Sequence, residues 1–272
     1  MNILFIGAGN MGQAIIGGIV DKKIINPADI YIMETNKVIC ENVVRKYEVR
    51  KFNQEEAIIS NFDIIVLAIK PQVFHTFKDD ANLNMLRENI SKDQIIVSIM
   101  AGITIEKIKS LFSKSNPIVR VMPNTPALIS RSMSVLAPSK NISEEDLLKV
   151  KNIFEAVGEV EILDENLINA VTGLSGSGPA YVFAFIEALI QGGISCGLKK
   201  EVAEKLAVQT VIGASLMIDE ENKPEELRKK VTSPGGTTVE GLSVLEKREF
   251  RSIIVDAVKA AAKRSEELSS SV

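Results

Sequence analysis

Two hydrophobic rhythms divide the chain. Up to about Leu163, short uncharged apolar runs alternate with longer stretches in which apolar residues recur every three or four positions, as when buried parallel strands alternate with amphipathic helices. Strands are predicted at residues 2–6 (Asn-Ile-Leu-Phe-Ile), 29–33, 49–52, 64–69 (Ile-Ile-Val-Leu-Ala-Ile) and 94–98, with helices from about Asn10 and over 37–47, 55–59 and 105–112. Residues 133–137 and 160–163 read as edge strands around a helix 144–157 that Gly158 ends. From Asp164 onward no convincing strand remains. Asp164 is expected to cap a helix through Val171, residues 179–190 are strongly apolar, 200–218 repeat apolar residues at Val202, Leu206, Val208, Val211, Ile212 and Leu216, and 250–268 repeat them again. Helices this apolar must bury more than one face, so a bundle that pairs with a second copy is expected.

The first strand runs straight into Gly7-Ala8-Gly9-Asn10-Met11-Gly12. A G-x-G-x-x-G turn between a buried strand and a helix is the dinucleotide-binding arrangement: Gly7 permits the tight turn, Gly9 lets backbone approach a pyrophosphate, and Gly12 lets the helix pack on the sheet. Amides and dipole at that helix start favour phosphate, so Ile6 through Gly12 are candidate cofactor contacts. Glu34, after the second strand and about twenty residues past the last glycine, is positioned to accept from the adenosine ribose and repel a 2′-phosphate; the alternative is a solvated loop carboxylate. The all-apolar strand 64–69 stops at Lys70-Pro71-Gln72, where a cofactor crosses its carboxyl end, with the backbone of Lys70 a better contact than its ammonium. Two prolines bracketing Asn124-Thr125 in Met122-Pro123-Asn124-Thr125-Pro126 imply an extended, rigid loop suited to a flat nicotinamide. The fold class is therefore α/β: a Rossmann-like dinucleotide-binding domain over 1–163, then an all-α dimerisation and substrate domain over 164–272.

Composition narrows the partners. At 272 residues two domains are expected. Thirty-two Lys and Arg against 35 Asp and Glu leave a net charge of −3 with no long block of one sign, which makes nucleic acid or an anionic membrane a poor partner. Residues 1–20 carry no charge and are long enough to span a bilayer, yet their glycines, Asn2, Asn10 and Gln13 dilute them and no basic residue precedes them; a soluble protein is expected. Cys40 and Cys196 form no C-x-x-C pair and are read as reduced cytoplasmic thiols. His75 is the single histidine, so no metal site is expected. Lying with Val73, Phe74 and Phe77, it suits packing better than acid/base work.

Two glycine turns interrupt the helical half. Thr172-Gly173-Leu174-Ser175-Gly176-Ser177-Gly178-Pro179 leads into a helix with Pro179 at its first position, and Ser233-Pro234-Gly235-Gly236-Thr237-Thr238 precedes another helix. Both present amides and hydroxyls at a positive helix end, suited to a carboxylate, or serve only close packing and capping. The chemistry also shows in what is missing. Ketone reduction needs a proton donor, usually His or Lys, near the oxygen, but the helical half has no histidine and no lysine lies between Val171 and Lys199. A protonated imine arrives as its own electrophile, which favours C=N over C=O reduction, with the protein supplying orientation, a carboxylate clamp and a hydrogen bond to nitrogen.

The glycine turn, Leu67-Ala68-Ile69-Lys70-Pro71, Met122 to Pro126, Val171 to Tyr181 (V-T-G-L-S-G-S-G-P-A-Y) and Ser233 to Thr238 (S-P-G-G-T-T) together resemble pyrroline-5-carboxylate reductase over essentially the whole chain. The resemblance implies reduction of 1-pyrroline-5-carboxylate to L-proline with NADPH or NADH, closing proline biosynthesis, in a cytoplasmic domain-interlocked homodimer that can assemble into a decamer. It implies that Asn53 lies by the adenosine, that Ala68, Ile69, Lys70, Pro71 and Ala101 line the cofactor by their backbones, and that the Asn124 loop flanks the nicotinamide. It places Gly235, Gly236, Thr237 and Thr238 around the substrate carboxylate, with Thr238 near the ring nitrogen and in the catalytic role, Glu221 contributing from the helix before, and Ser175 as a further substrate contact. Glu34 departs from the small polar residues of NADPH-preferring members, which implies a shift toward NADH. Two other readings share the same parts: a hydroxyacid dehydrogenase, against which the missing His or Lys argues, and a dinucleotide sensor without turnover, which has no need of the second glycine turn.

Overall fold

The computed structural model describes residues 1–53, 58–74, 81–112, 115–219 and 221–271; most of the helix expected at 55–59, and His75, fall outside them. By compactness the chain divides into two units, Met1–Gly176 together with Ala260–Val272, and Ser177–Lys259.

The first unit is built on an eight-stranded sheet of β1 (Ile3–Ile6), β2 (Ile30–Met33), β3 (Arg50–Lys51), β4 (Ile64–Leu67), β5 (Ile95–Ser98), β6 (Ile118–Met122), β7 (Ser132–Pro138) and β8 (Gly158–Ile162). Its spatial order is β3-β2-β1-β4-β5-β6-β7-β8. All neighbours are parallel except β6 and β7. Between them run α1 (Asn10–Asp21), α2 (Lys37–Tyr47), α3 (Pro71–Phe74), α4 (Ala81–Asn89), α5 (Ile105–Leu111) and α6 (Glu144–Glu155), and α7 (Ile168–Val171) follows β8.

Strand alternation sorts the apolar residues onto two faces. Ile3, Phe5, Ile30, Ile32, Ile64, Val66 and Val97 pack with Ile15, Ile16 and Ile19 of α1, Val43 of α2 and Phe154 of α6. Leu4, Ile6, Ile65, Leu67, Ile96 and Ile118 pack with Phe62, Leu86, Ile108 and Leu111 on the other side. A sheet covered on both faces explains why β1, β2, β4 and β5 carry no charge, and each buried apolar side chain contributes roughly 1.5–3 kcal/mol by burial. From β1 the chain proceeds outward through β2 and β3, then returns to place β4 on the other side of β1. That reversal opens a crevice at the carboxyl ends of the strands, where open α/β sheets bind ligands.

Residues 133–137 are not an edge strand: β7 pairs with β6 and β8, and β8 is the edge. Gly158 opens β8 rather than merely ending α6, and a Cβ there would lie 2.1 Å from the carbonyl oxygen of Ser132. Asp164 precedes a 3₁₀ turn, Glu165–Leu167, without capping it through its side chain, and α7 passes into a π-turn, Thr172–Gly176. The extended loop expected around Asn124 is confined to its start, because a 3₁₀ helix begins at Thr125.

The second unit and the tail that returns to the first comprise α8 (Gly178–Ser195), α9 (Lys200–Leu216), α10 (Pro224–Lys230), α11 (Thr237–Lys247) and α12 (Phe250–Ser271). Pro179 occupies the second position of α8 rather than the first, and α10, seven residues of which five are charged and only Leu227 is a large apolar, has too little apolar periodicity to be legible in the sequence. Gly193 lets α8 approach α9, where a Cβ would meet that of Ala203 at 3.2 Å. Among the described residues of the unit Ala203 and Ala207 are the buried apolar ones, whereas Phe183, Leu206, Ile212 and Ile253 stay about half exposed. One copy of this unit does not close a hydrophobic core, and an apolar surface of this kind requires a partner.

Candidate functional site

The glycine turn joins β1 to α1 as its residue types require. Gly7 has φ +92°, a conformation costly for a side chain, and a Cβ there would lie 2.8 Å from the carbonyl oxygen of Ala68. Gly12 sits close to the turn backbone, 3.1 Å from the Gly7 oxygen by the same construction, while a Cβ on Gly9 would meet nothing within 4 Å. Gly9 is the N-cap of α1 and offers no capping side chain, so the first amides of α1, at Asn10, Met11 and Gly12, lack intrahelical acceptors and face outward from the helix start. The turn is braced from beside and behind: Gly7 N–H donates to the Met33 carbonyl at 2.8 Å, and the Gln13 amide donates to the Ala8 carbonyl at 2.8 Å.

Glu34 lies at the carboxyl end of β2, and both of its oxygens are engaged. Oε2 accepts from Ala8 N–H at 2.8 Å and Oε1 from Asn36 N–H at 2.8 Å, with the Thr35 hydroxyl at 3.5 Å. The carboxylate is thus fixed against the glycine turn rather than loose in solvent. It lines a cleft of about 310 Å³ together with Ile6, Gly7, Gly9, Thr35, Ala68, Ile69 and Lys70. Ala68 N–H donates to Ile6 at 2.9 Å, extending the ladder one residue past β4, and Pro71 starts α3 as the strand stops. The cleft fits a dinucleotide: open space over Gly9, unsatisfied amides at the start of α1, and an acidic acceptor at the end of β2. Asn53 follows β3, Ala101 follows β5 just before Gly102 at φ +76°, and Asn124 follows β6. All three stand at the carboxyl end of the sheet but outside the residues lining that cleft.

Ser175 and Asn124 meet within the first unit. Asn124 Nδ2 donates to the Ser175 carbonyl at 3.1 Å, and the Ser175 hydroxyl, expected to face an anion, donates to the Val171 carbonyl at 3.2 Å. Sequence reasoning missed Ser132 and Ser134, which are buried beside Asn124; their alternation in β7 put both on one face and was the available signal. It also missed the pair of Arg120, 4% exposed, with Glu165 at 3.1 Å. Burial pulls the Arg120 guanidinium below its ordinary pKa against the opposing pull of Glu165, and the same Glu165 oxygen accepts from Ile105 N–H at 2.7 Å.

The remaining predicted residues belong to the second unit. Gly235 adopts φ +71°, Gly236 N–H closes the turn onto the Ser233 carbonyl at 3.1 Å, and Gly236 is the N-cap of α11 with no capping side chain. Thr237 and Thr238 are therefore the first two helical residues, exposed, with open amides beside two hydroxyls. Such a start holds an anion with the helix dipole behind it. Glu221 is not on a helix: it lies in the turn between α9 and α10, its N–H held by Asp219 Oδ1 at 2.9 Å. Asn222 N–H to the same carboxylate draws the Asp219 pKa down.

Comparison with known proteins agrees with both halves. Residues 165–268 match a family described as pyrroline-5-carboxylate reductase dimerisation, and residues 2–102 one described as NADP oxidoreductase coenzyme F420-dependent. The chain is 43% identical over 266 residues to pyrroline-5-carboxylate reductase of Synechocystis sp., covering 97% of this chain and 96% of that one. It is 35% identical over 268 residues to the Escherichia coli enzyme of that name, covering 98% of each. Among solved structures it is similar to a pyrroline-5-carboxylate reductase from Coxiella burnetii, with TM-score 0.86, 33% identity and 98% of each chain covered. It is also similar to Plasmodium falciparum pyrroline carboxylate reductase with NADP bound, with TM-score 0.83, 30% identity and 99% and 98% covered.

Proposed function

The chain belongs to the pyrroline-5-carboxylate reductase family, and from that premise we propose how its residues divide the work of reducing 1-pyrroline-5-carboxylate to L-proline with NAD(P)H. This reaction closes proline biosynthesis. The protein is a homo-oligomeric enzyme acting on a small molecule.

The observation that carries the reading is that each unit holds one uncapped helix start suited to an anion. One follows the glycine turn at the sheet's carboxyl end beside a fixed carboxylate, and the other follows Ser233–Gly236 beside two threonine hydroxyls. The first suits a pyrophosphate and ribose, the second a small carboxylate. When bound, NAD(P)H supplies the hydride. Ile6 to Gly12, Glu34, Asn53, Ala68 to Pro71, Ala101 and the Asn124 loop hold and orient the cofactor. The amides of Gly235, Thr237 and Thr238 hold the substrate carboxylate, with Gly236, whose N–H closes the turn onto Ser233, shaping the cradle, and Glu221 nearby. The Thr238 hydroxyl oxygen accepts the iminium N–H and so fixes the ring. As the C=N carbon gains hydride, the π pair moves to nitrogen, which becomes a neutral amine and takes its proton from solvent, so no side-chain acid is required. Ser175 acts through its carbonyl rather than its hydroxyl, which is already committed to Val171.

The functional boundary is set near Leu163, where the last strand has ended. We extend the reading to a domain-interlocked dimer that assembles into a decamer, supported by the apolar residues left exposed on α8, α9 and α12, and to a cytoplasmic location, supported by the unpaired thiols of Cys40 and Cys196. The fixed carboxylate of Glu34 supports NADH as the preferred donor. Adding 1-pyrroline-5-carboxylate to the purified protein with either nicotinamide should consume reduced cofactor and release proline in equal amount. Cofactor oxidation with 2-keto acids and none with the pyrroline acid would overturn the reading in favour of a hydroxyacid dehydrogenase, and binding without oxidation would favour a sensor.

A further inference from the structure

We propose that Asn124 is a positioning residue whose side chain serves not the nicotinamide but the lock between the loop after β6 and the π-turn Thr172–Gly176. Prolines 123 and 126 deprive this loop of two backbone donors, so it cannot tie itself down through them. The Asn124 carboxamide takes over. Its Oδ1 accepts from Met133 N–H at 3.0 Å and from the Ser132 hydroxyl at 3.2 Å; its Nδ2 donates to the Ser175 carbonyl at 3.1 Å. Ser132 in turn lies 3.1 Å from the Ser134 hydroxyl, in a fully buried chain. One end of the group must accept and the other must donate, which Asn satisfies in a single orientation and Asp cannot.

A second contact ties the same two segments. A Cβ on Gly176 would lie 2.6 Å from the methyl of Met122, so the glycine that ends the π-turn makes room for the residue that ends β6. π-turns of this kind persist where surrounding structure holds them. Here the hold comes from the loop, and Gly176 is also the last residue before the chain leaves the first unit. The inference rests on the reading that this loop flanks the nicotinamide. If the loop is fixed from behind, its placement sets the geometry of hydride transfer, while affinity is carried by the glycine turn and Glu34.

The test is Asn124→Asp, which keeps size and both accepting contacts but sets a carboxylate oxygen against the Ser175 carbonyl. Turnover should fall about tenfold to a hundredfold, the range for a misplaced reactant. The dissociation constant for NAD(P)H, read by fluorescence, should change less than about threefold, and the deuterium isotope effect on turnover should rise as hydride transfer becomes limiting. Should that variant not fold, Gly176→Ala displaces only the flexible Met122 end and should move turnover and isotope effect in the same direction. Unchanged turnover in the variant, measured against an active wild type, would overturn the inference, as would a loss of cofactor affinity matching the loss of turnover, which would make Asn124 a direct ligand. A wild type inactive on the pyrroline acid would instead defeat the functional reading beneath it.

Discussion

Replacing Glu34 tests the cofactor side of the site most directly. Its carboxylate is half-buried and held by two N–H donors at 2.8 Å, so it cannot swing away from an adenosine ribose without losing both. A 2′-phosphate at about 5 Å would meet a fixed negative charge; with an effective dielectric near 20 the repulsion is about 3 kcal/mol per pair of unit charges, less where solvent screens the cleft. After screening, a net penalty of about 2–3 kcal/mol on NADPH corresponds to about 30- to 150-fold. Glu34→Gln isolates the charge and Glu34→Ser also clears the volume. Both should raise kcat/KM for NADPH relative to NADH by about that factor, and Ser should lower the NADH value as the ribose loses a charge-assisted acceptor. Initial rates with each cofactor at low and high salt measure this, and the wild-type preference should narrow as salt rises. A wild type that strongly prefers NADPH, or a preference unmoved in both variants, would refute the reasoning.

Thr238→Ala should lower turnover about tenfold to a hundredfold, the loss of one charge-assisted hydrogen bond, while NAD(P)H affinity measured by fluorescence stays intact. Glu165→Ala leaves Arg120, 4% exposed, without its carboxylate, and chemical denaturation should report about 3–5 kcal/mol of lost stability if unfolding is reversible. Asp146, held by Lys149 at 2.9 Å and by the Ser143 hydroxyl at the start of α6, has its pKa pulled below the ordinary 3.8, chiefly by the Lys149 hydrogen bond. A folded-state pKa below the unfolded one contributes stability above the unfolded value and loses it as pH falls through the folded one. Melting curves of wild type should therefore drop more steeply on acidification below about pH 4 than those of Asp146→Asn, and parallel curves would contradict the assignment.

Local chemistry determined much of this protein before any fold was in view. Strands β1, β2, β4 and β5 are uncharged because both sheet faces are covered, so their positions were legible within a residue or two, and α2 begins and ends where periodicity placed it. Gly7, Gly235 and the turns around them were legible because positive φ leaves few residue choices. The family motifs follow from the same constraint: backbone that must approach a ligand excludes side chains. Tertiary structure alone decided what depends on contacts between distant segments. Only pairing with β6 on one side and β8 on the other made β7 an interior strand. Only the packed first unit brought Arg120 to Glu165 across 45 positions, and Asn124 to Ser175 across 51. Glu34 could be read as acidic and near the right place, but its fixation on Ala8 N–H needed β1 and β2 side by side. A sequence records the preferences of each residue for its neighbours along the chain, whereas hydrogen bonds between remote residues exist only once burial has paired their strands and turns.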